Sequence, residues 1–90
     1  DVERAVKTLA ASKFRNAGQV CISPTRFMVQ EKAFERFLNG FVQAAKAVKV
    51  GDGTSEATEM GPLANQRRAS ALESLIQDAV ARGGELKTGG

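Results

Sequence analysis

Residues 12–26 read SKFRNAGQVCISPTR and hold Cys21, the one cysteine of this 90-residue chain. Its chemistry would be that of the thiolate, the form that attacks carbonyl carbon, forms disulfides and binds metals. Three cations, Lys13, Arg15 and Arg26, stand close to it in sequence and would favour the charged form if they gather around it. Gly18 has no Cβ and leaves room for a substrate or cofactor to approach the backbone. A simpler reading competes: a lone cysteine among helices packs as a small hydrophobe and stays inert. Composition favours the inert thiol, whereas a place in a Gly- and Pro-flanked loop between two regular elements favours a reactive one.

The rest of the composition narrows the chemistry. The chain has no histidine, so neither a histidine-activated thiol nor a histidine metal cluster can be built from it, and no metal site is expected. One cysteine allows no intramolecular disulfide, which points to an intracellular, cytoplasmic protein. No apolar run approaches the roughly 18 residues of a membrane span, so no membrane partner is expected. The net charge of +3 comes from cations interspersed with carboxylates, as at Glu31-Lys32 and Glu35-Arg36, without interleaved aromatics. That pattern describes a solvated surface and not a nucleic-acid patch.

The elements around Cys21 follow from periodicity. Val2, Ala5, Val6, Leu9, Ala10 and Phe14 keep a helical spacing, so residues 1–17 read as a helix capped by Asp1 and ended by residues 16–18. Residues 21–25 read as a loop, because Pro24 lacks an N–H and keeps Ser23 from helical angles. Residues 26–30, RFMVQ, read as a short buried strand. A second helix over residues 31–48 presents Phe34, Phe37, Leu38, Phe41, Val42, Ala45 and Val48 as one core-facing stripe. Gly40 inside it costs ~1 kcal/mol relative to alanine, which implies a close approach of backbones there.

Gly51-Asp52-Gly53 opens a polar loop; it lacks the strand-glycine-helix order of a nucleotide cradle. Asn65 caps a third helix over residues 66–82 with the stripe Leu72, Leu75, Ile76, Ala79 and Val80, and Gly83-Gly84 ends it. Residues 85–88 read as a second strand. The order helix-strand-helix-helix-strand is that of an α/β fold, a partial parallel-sheet unit. Two parallel strands do not stand as a covered sheet. Residues 1–90 are therefore expected to be a segment of a larger domain, with exposed apolar faces that favour self-association.

Phe14, Asn16, Gly18-Gln19, Cys21 and Arg26 resemble the active-site cysteine signature of the NAD(P)-dependent aldehyde dehydrogenases. Residues 27–30 resemble the strand that follows the nucleophile. Val50-Gly51-Asp52 followed by Met60-Gly61-Pro62-Leu63 resembles a second family stretch, and Gly83-Gly84 and Gly89-Gly90 fall where the family has glycines. The resemblance covers the whole chain and implies a piece of that family's catalytic domain carrying the nucleophile loop. It implies that the Cys21 thiolate attacks a small-molecule aldehyde, that hydride passes to NAD or NADP, and that water hydrolyses the thioester. It also implies that the backbone N–H of Cys21 donates to the oxyanion. The second donor, an asparagine, and the general-base glutamate lie upstream in the family and have no counterpart here; Asn16 reads as a helix end. The residues that bind the cofactor are expected mainly outside this chain, and the 90 residues alone are expected to be inactive. The parent enzyme is expected to be a homo-oligomer.

Residues 11–19, ASKFRNAGQ, look most like the succinate-semialdehyde dehydrogenase branch. In that branch an arginine six residues before the nucleophile binds the substrate's distal carboxylate, and Arg15 holds that place. A guanidinium fork matches a carboxylate, which supports the transfer; a solvated charge at a helix end is the other reading of Arg15. The resemblance also implies that Val20 and Ile22 line the aldehyde tunnel. Some members of the branch carry a second cysteine two residues after the nucleophile. Here Ser23 stands there, so a disulfide switch by that route is ruled out. Two alternatives stay open: a non-catalytic module docking a partner through Phe34, Phe37 and Phe41, and an acylating, coenzyme A-dependent aldehyde dehydrogenase.

Overall fold

Three helices and their connections make up the structure, a computed structural model that describes residues 1–89. Gly90, expected at a family glycine position, lies outside the described residues. The first helix, α1, spans Val2–Phe14 and begins where the Asp1 carboxylate accepts from the Arg4 N–H at 3.1 Å. A second, α2, spans Glu31–Ala47, and a third, α3, spans Gln66–Ala81. The Asn65 side chain caps α3 by accepting from the Arg68 N–H at 2.9 Å. At its far end the Gly83 and Gly84 N–H groups return to the carbonyls of Val80 and Ala79, and Gly83 takes the left-handed conformation (φ 94°) that ends a helix.

The small core lies between α1 and α2, where Val6, Ala10 and Phe37 are buried. Gly40 is the point of closest approach. A Cβ built there would stand 3.2 Å from Val6 Cγ2 and 3.4 Å from Cγ1, which accounts for glycine in the middle of α2. Gly40→Val is expected to cost about 1–3 kcal/mol of stability by overpacking this seam, read as a lowered melting temperature. At the rim of the same seam Arg36 Nε donates to Glu3 Oε1 at 2.8 Å. The Glu3 carboxyl is held below the usual carboxylate range by a backbone N–H and then by Arg36.

Two expectations change at this point. Residues 26–30 alternate between exposed and half-buried, with Phe27 and Val29 inward and Met28 fully exposed. That is the period of a strand with one covered face. Neither this segment nor residues 85–88 pairs into a ladder, because no described segment lies alongside to receive their N–H and C=O groups. The β pairing among the described residues is a single parallel bridge, Val50 to Met60. The second change concerns the helix stripes. Phe34 is 46% exposed and stands outside the core that Phe37 enters. The α3 stripe is not core either: α3 touches neither α1 nor α2, and Leu75 and Val80 are exposed. An apolar stripe shows which face a helix would bury and does not supply the surface that buries it.

Candidate functional site: the Cys21 turn

The backbone that presents Cys21 starts with an abrupt helix end. After Phe14 the chain enters a tight turn, Arg15–Gly18, in which Asn16 (φ 49°), Ala17 (φ 53°) and Gly18 (φ 76°) are all left-handed. Asparagine and glycine visit this region readily, but alanine pays roughly 1–2 kcal/mol for its Cβ. Gln19 N–H donates to the Asn16 carbonyl at 3.0 Å and closes the turn. A β-turn follows immediately: the Ser23 N–H donates to the Val20 carbonyl at 2.8 Å, with Cys21 and Ile22 at its tip. The Cys21 thiol is free and exposed, Ile22 is exposed beside it, and Val20 is half-buried.

Both ends of the segment from Arg15 to Arg26 are pinned to one side chain. The Phe14 and Phe27 rings each lie against Phe41 of α2, with centroids 5.9 and 4.9 Å apart, and Phe37 packs on Phe27 and Phe41 at 5.9 and 5.7 Å. Aromatic pairs at these distances add to the burial of the rings. The loop is therefore a twelve-residue excursion that leaves from and returns to Phe41 of α2, with the thiol in the exposed turn between. Among the described residues the thiol fills no core.

The cations do not act as a single group. Lys13 lines a cleft of about 810 Å³ together with Gly18, Gln19 and, from the start of α3, Asn65, Arg67 and Arg68. A Gly18 Cβ would stand 3.4 Å from the Lys13 carbonyl oxygen and 3.7 Å from both Lys13 Nζ and Ser23 Oγ, so the chain packs closely at that edge of the cleft. Arg15 lines a different cavity, about 300 Å³, with Ala10, Phe14, Ala44, Val48 and Glu59. It makes no ion pair or hydrogen bond to a side chain among the described residues. Arg26 lies on the exposed side of the segment that follows the turn.

The Gly51-Asp52-Gly53 stretch is a loop, as expected. Asp52 Oδ1 accepts from the Thr54 N–H and hydroxyl, each at 2.8 Å, and these two bonds, the backbone N–H first, hold its carboxyl below the usual range. Further on, Gly51 N–H donates to the Met60 carbonyl at 3.0 Å and Lys49 N–H to Glu59 Oε2 at 3.0 Å, which tie the two ends of the loop together ahead of Gly61-Pro62-Leu63.

Comparison with known proteins places this turn in a wider setting. The model of the "Aldehyde dehydrogenase family" matches residues 1–90, the whole chain. The chain belongs to the aldehyde dehydrogenase family. Among curated relatives, the mitochondrial succinate-semialdehyde dehydrogenase of Oryza sativa subsp. japonica is 40% identical over 90 residues, all of this chain and 17% of that protein. The succinate-semialdehyde dehydrogenase [NADP(+)] of Mycobacterium avium (strain 104) is 41% identical over 90 residues, all of this chain and 19% of that protein. A crystal structure of aldehyde dehydrogenase C of Pseudomonas syringae, a cysteine-to-alanine mutant in complex with NAD+ and octanal, superposes with a TM-score of 0.90 at 31% identity. That superposition covers 100% of this chain and 19% of that one. The chain thus spans less than a fifth of the aldehyde dehydrogenases it matches.

Two features of the loop escape a reading of the sequence. The aromatic cluster joins Phe14 and Phe27 to α2 across residues far apart in the chain, and local periodicity carries no sign of such pairings. The second is the side chain of Ser23, whose Oγ donates to the Lys13 carbonyl at 3.4 Å across ten residues. Serine just before Pro24 signals a loop, and nothing in its type says what it reaches.

Proposed function

We propose that this chain is the nucleophile-bearing part of an NAD(P)-dependent aldehyde dehydrogenase, and that the enzyme oxidises a carboxylated semialdehyde such as succinate semialdehyde to its acid. The observation that carries the reading is the free, exposed Cys21 thiol at the tip of a turn whose two ends are fixed on Phe41. A preorganised thiolate adds to the aldehyde carbon to form a hemithioacetal bonded to Cys21 Sγ. The backbone N–H of Cys21 donates to the resulting oxyanion. Loss of hydride leaves a thioester on Cys21. Water then attacks the thioester carbon, releasing the carboxylic acid and returning the thiol.

The cleft beside Gly18 suits an anionic cofactor, with the cations Lys13, Arg67 and Arg68 in its lining. NAD or NADP, when bound, supplies the hydride acceptor. Relatives named for NADP and solved with NAD+ support a nicotinamide cofactor and leave the choice between the two open. Val20 and Ile22 flank the nucleophile as apolar walls for the aldehyde. Arg15 is the carboxylate-binding residue, a reading supported by its lack of a side-chain partner and by the succinate-semialdehyde dehydrogenases among the relatives.

The α/β reading belongs to this proposal too. Residues 26–30 have the alternation of a strand, and the exposed Met28, Leu75, Val80 and Leu86 are faces that a larger sheet domain would cover. The interaction-module alternative loses ground, because Phe37 is buried and Phe41 sits under Phe14 and Phe27. The decisive experiment is a hydride-transfer assay following NAD(P)H with succinate semialdehyde. The full-length enzyme is expected to turn over, while the purified 90-residue chain gives no turnover for want of the second oxyanion donor and the general base. NAD(P)-dependent turnover by the 90 residues alone would sink the assignment of those partners to other parts of the enzyme.

A further inference from the structure

We propose that Ser23 is a positioning residue for the Cys21 thiol, strapping the nucleophile's turn to the end of α1. The inference rests on Cys21 as the nucleophile. Asn16, Ala17 and Gly18 form a left-handed run between the helix and the turn. Such a run, with a Cβ on two of its residues, persists only where surrounding contacts hold it. Two of its bonds are internal to the bend, from the Gln19 N–H to the Asn16 carbonyl and from Asn16 Nδ2 to the Gln19 carbonyl at 3.5 Å.

Ser23 instead reaches across the run. Its hydroxyl donates to the Lys13 carbonyl, ahead of the run, and its Oγ lies 3.7 Å from the Cβ position of Gly18, at the run's far end. Lys13 sits in the last turn of α1, where helix carbonyls lose their intrahelical partners, so the acceptor is one the fold leaves free. At 3.4 Å the bond is long and correspondingly weak. Among the described residues it is nevertheless the one hydrogen bond that joins the Cys21 turn to α1. The same residue closes the turn through its backbone N–H at 2.8 Å. Alanine at this position would keep the turn closed and lose its tie to the helix. A cysteine there would trade a hydroxyl donor for the weak donor of a thiol.

The test compares Ser23→Ala, Ser23→Thr, Ser23→Cys and Cys21→Ala in the full-length enzyme. The readouts are the single-turnover rate of NAD(P)H formation, the aldehyde KM and the melting temperature. Ser23→Ala and Ser23→Cys are expected to slow the single turnover about three- to tenfold, the scale of one lost hydrogen bond, with KM unchanged. Ser23→Thr restores the rate because it keeps the hydroxyl. A wild-type rate in Ser23→Ala beside an inactive Cys21→Ala overturns the role of Ser23 and leaves the nucleophile standing. A lowered melting temperature with an unchanged rate does the same, since it marks a purely structural contact. If Ser23→Ala does not fold, equal rates for Ser23→Thr and Ser23→Cys overturn the proposal. An active Cys21→Ala overturns the nucleophile itself.

Discussion

Cys21→Ala in the full-length enzyme is expected to lower aldehyde oxidation by at least ~10³-fold while leaving the melting temperature unchanged. The two halves of this result come from the same geometry. Removing a covalent nucleophile removes the pathway, and losses of this order or larger follow when such a residue is deleted from a catalytic set. Within the described residues the thiol enters no core and makes no hydrogen bond, so its removal leaves neither a cavity nor an orphaned partner in this part of the fold. Surface substitutions of that kind shift stability by no more than about 0.5 kcal/mol. An inert core cysteine would give the opposite pattern, a loss of stability with activity kept. Cys21→Ser should resemble Cys21→Ala, because a serine hydroxyl here has no histidine to activate it within this chain. Rate assays and thermal melts on the same preparations separate the two readings. Turnover within tenfold of wild type in Cys21→Ala would falsify the covalent mechanism.

The parts of this site that were legible in the sequence are those set by local chemistry. Asp1 and Asn65 cap their helices because a short acceptor stands just ahead of an apolar period, and Gly83 ends α3 because its left-handed φ costs glycine little. Gly40 betrayed the close α1–α2 seam by being a poor helix former in the middle of a strong helix. The helical spacing runs on to residue 17 while α1 ends at Phe14, since Ala17 is a good helix former and gives no sign of a left-handed backbone. The partners in contacts across distance were hidden, even where Gly40 marked a close approach. Phe34 and Phe37 share one periodic stripe, yet of the two only Phe37 is buried and packs on the Phe27 ring, and that choice depends on where the partner element lies. Strand pairing was hidden for a related reason. Residues 26–30 show the alternation of a strand, but pairing also needs a second segment alongside, a property of the assembled domain and not of the five residues.

Arg15→Ala is expected to raise the KM for succinate semialdehyde by about 10- to 100-fold with little change in kcat, and to leave a neutral aldehyde of similar size unaffected. The magnitude is that of a charge-assisted, two-pronged guanidinium–carboxylate contact, roughly 1.5–3 kcal/mol, read as affinity. The selectivity follows from where the residue stands. Arg15 is the first residue after α1, exposed and free of a side-chain partner among the described residues, so its loss breaks no internal contact and should not disturb the Cys21 turn. Glu59 lines the same 300 Å³ cavity and accepts from the Lys49 N–H, but no ion pair joins it to the Arg15 guanidinium among the described residues. Arg15→Lys supplies a control, because a lysine keeps the charge and loses the planar fork, and an intermediate KM is expected. A solvated charge at a helix end, the competing reading, predicts no change for either aldehyde. Equal losses for the carboxylated and neutral aldehydes would point to a displaced turn and would remove Arg15 from substrate recognition. Steady-state kinetics on the two aldehydes, run for wild type, Arg15→Lys and Arg15→Ala, distinguish all three outcomes.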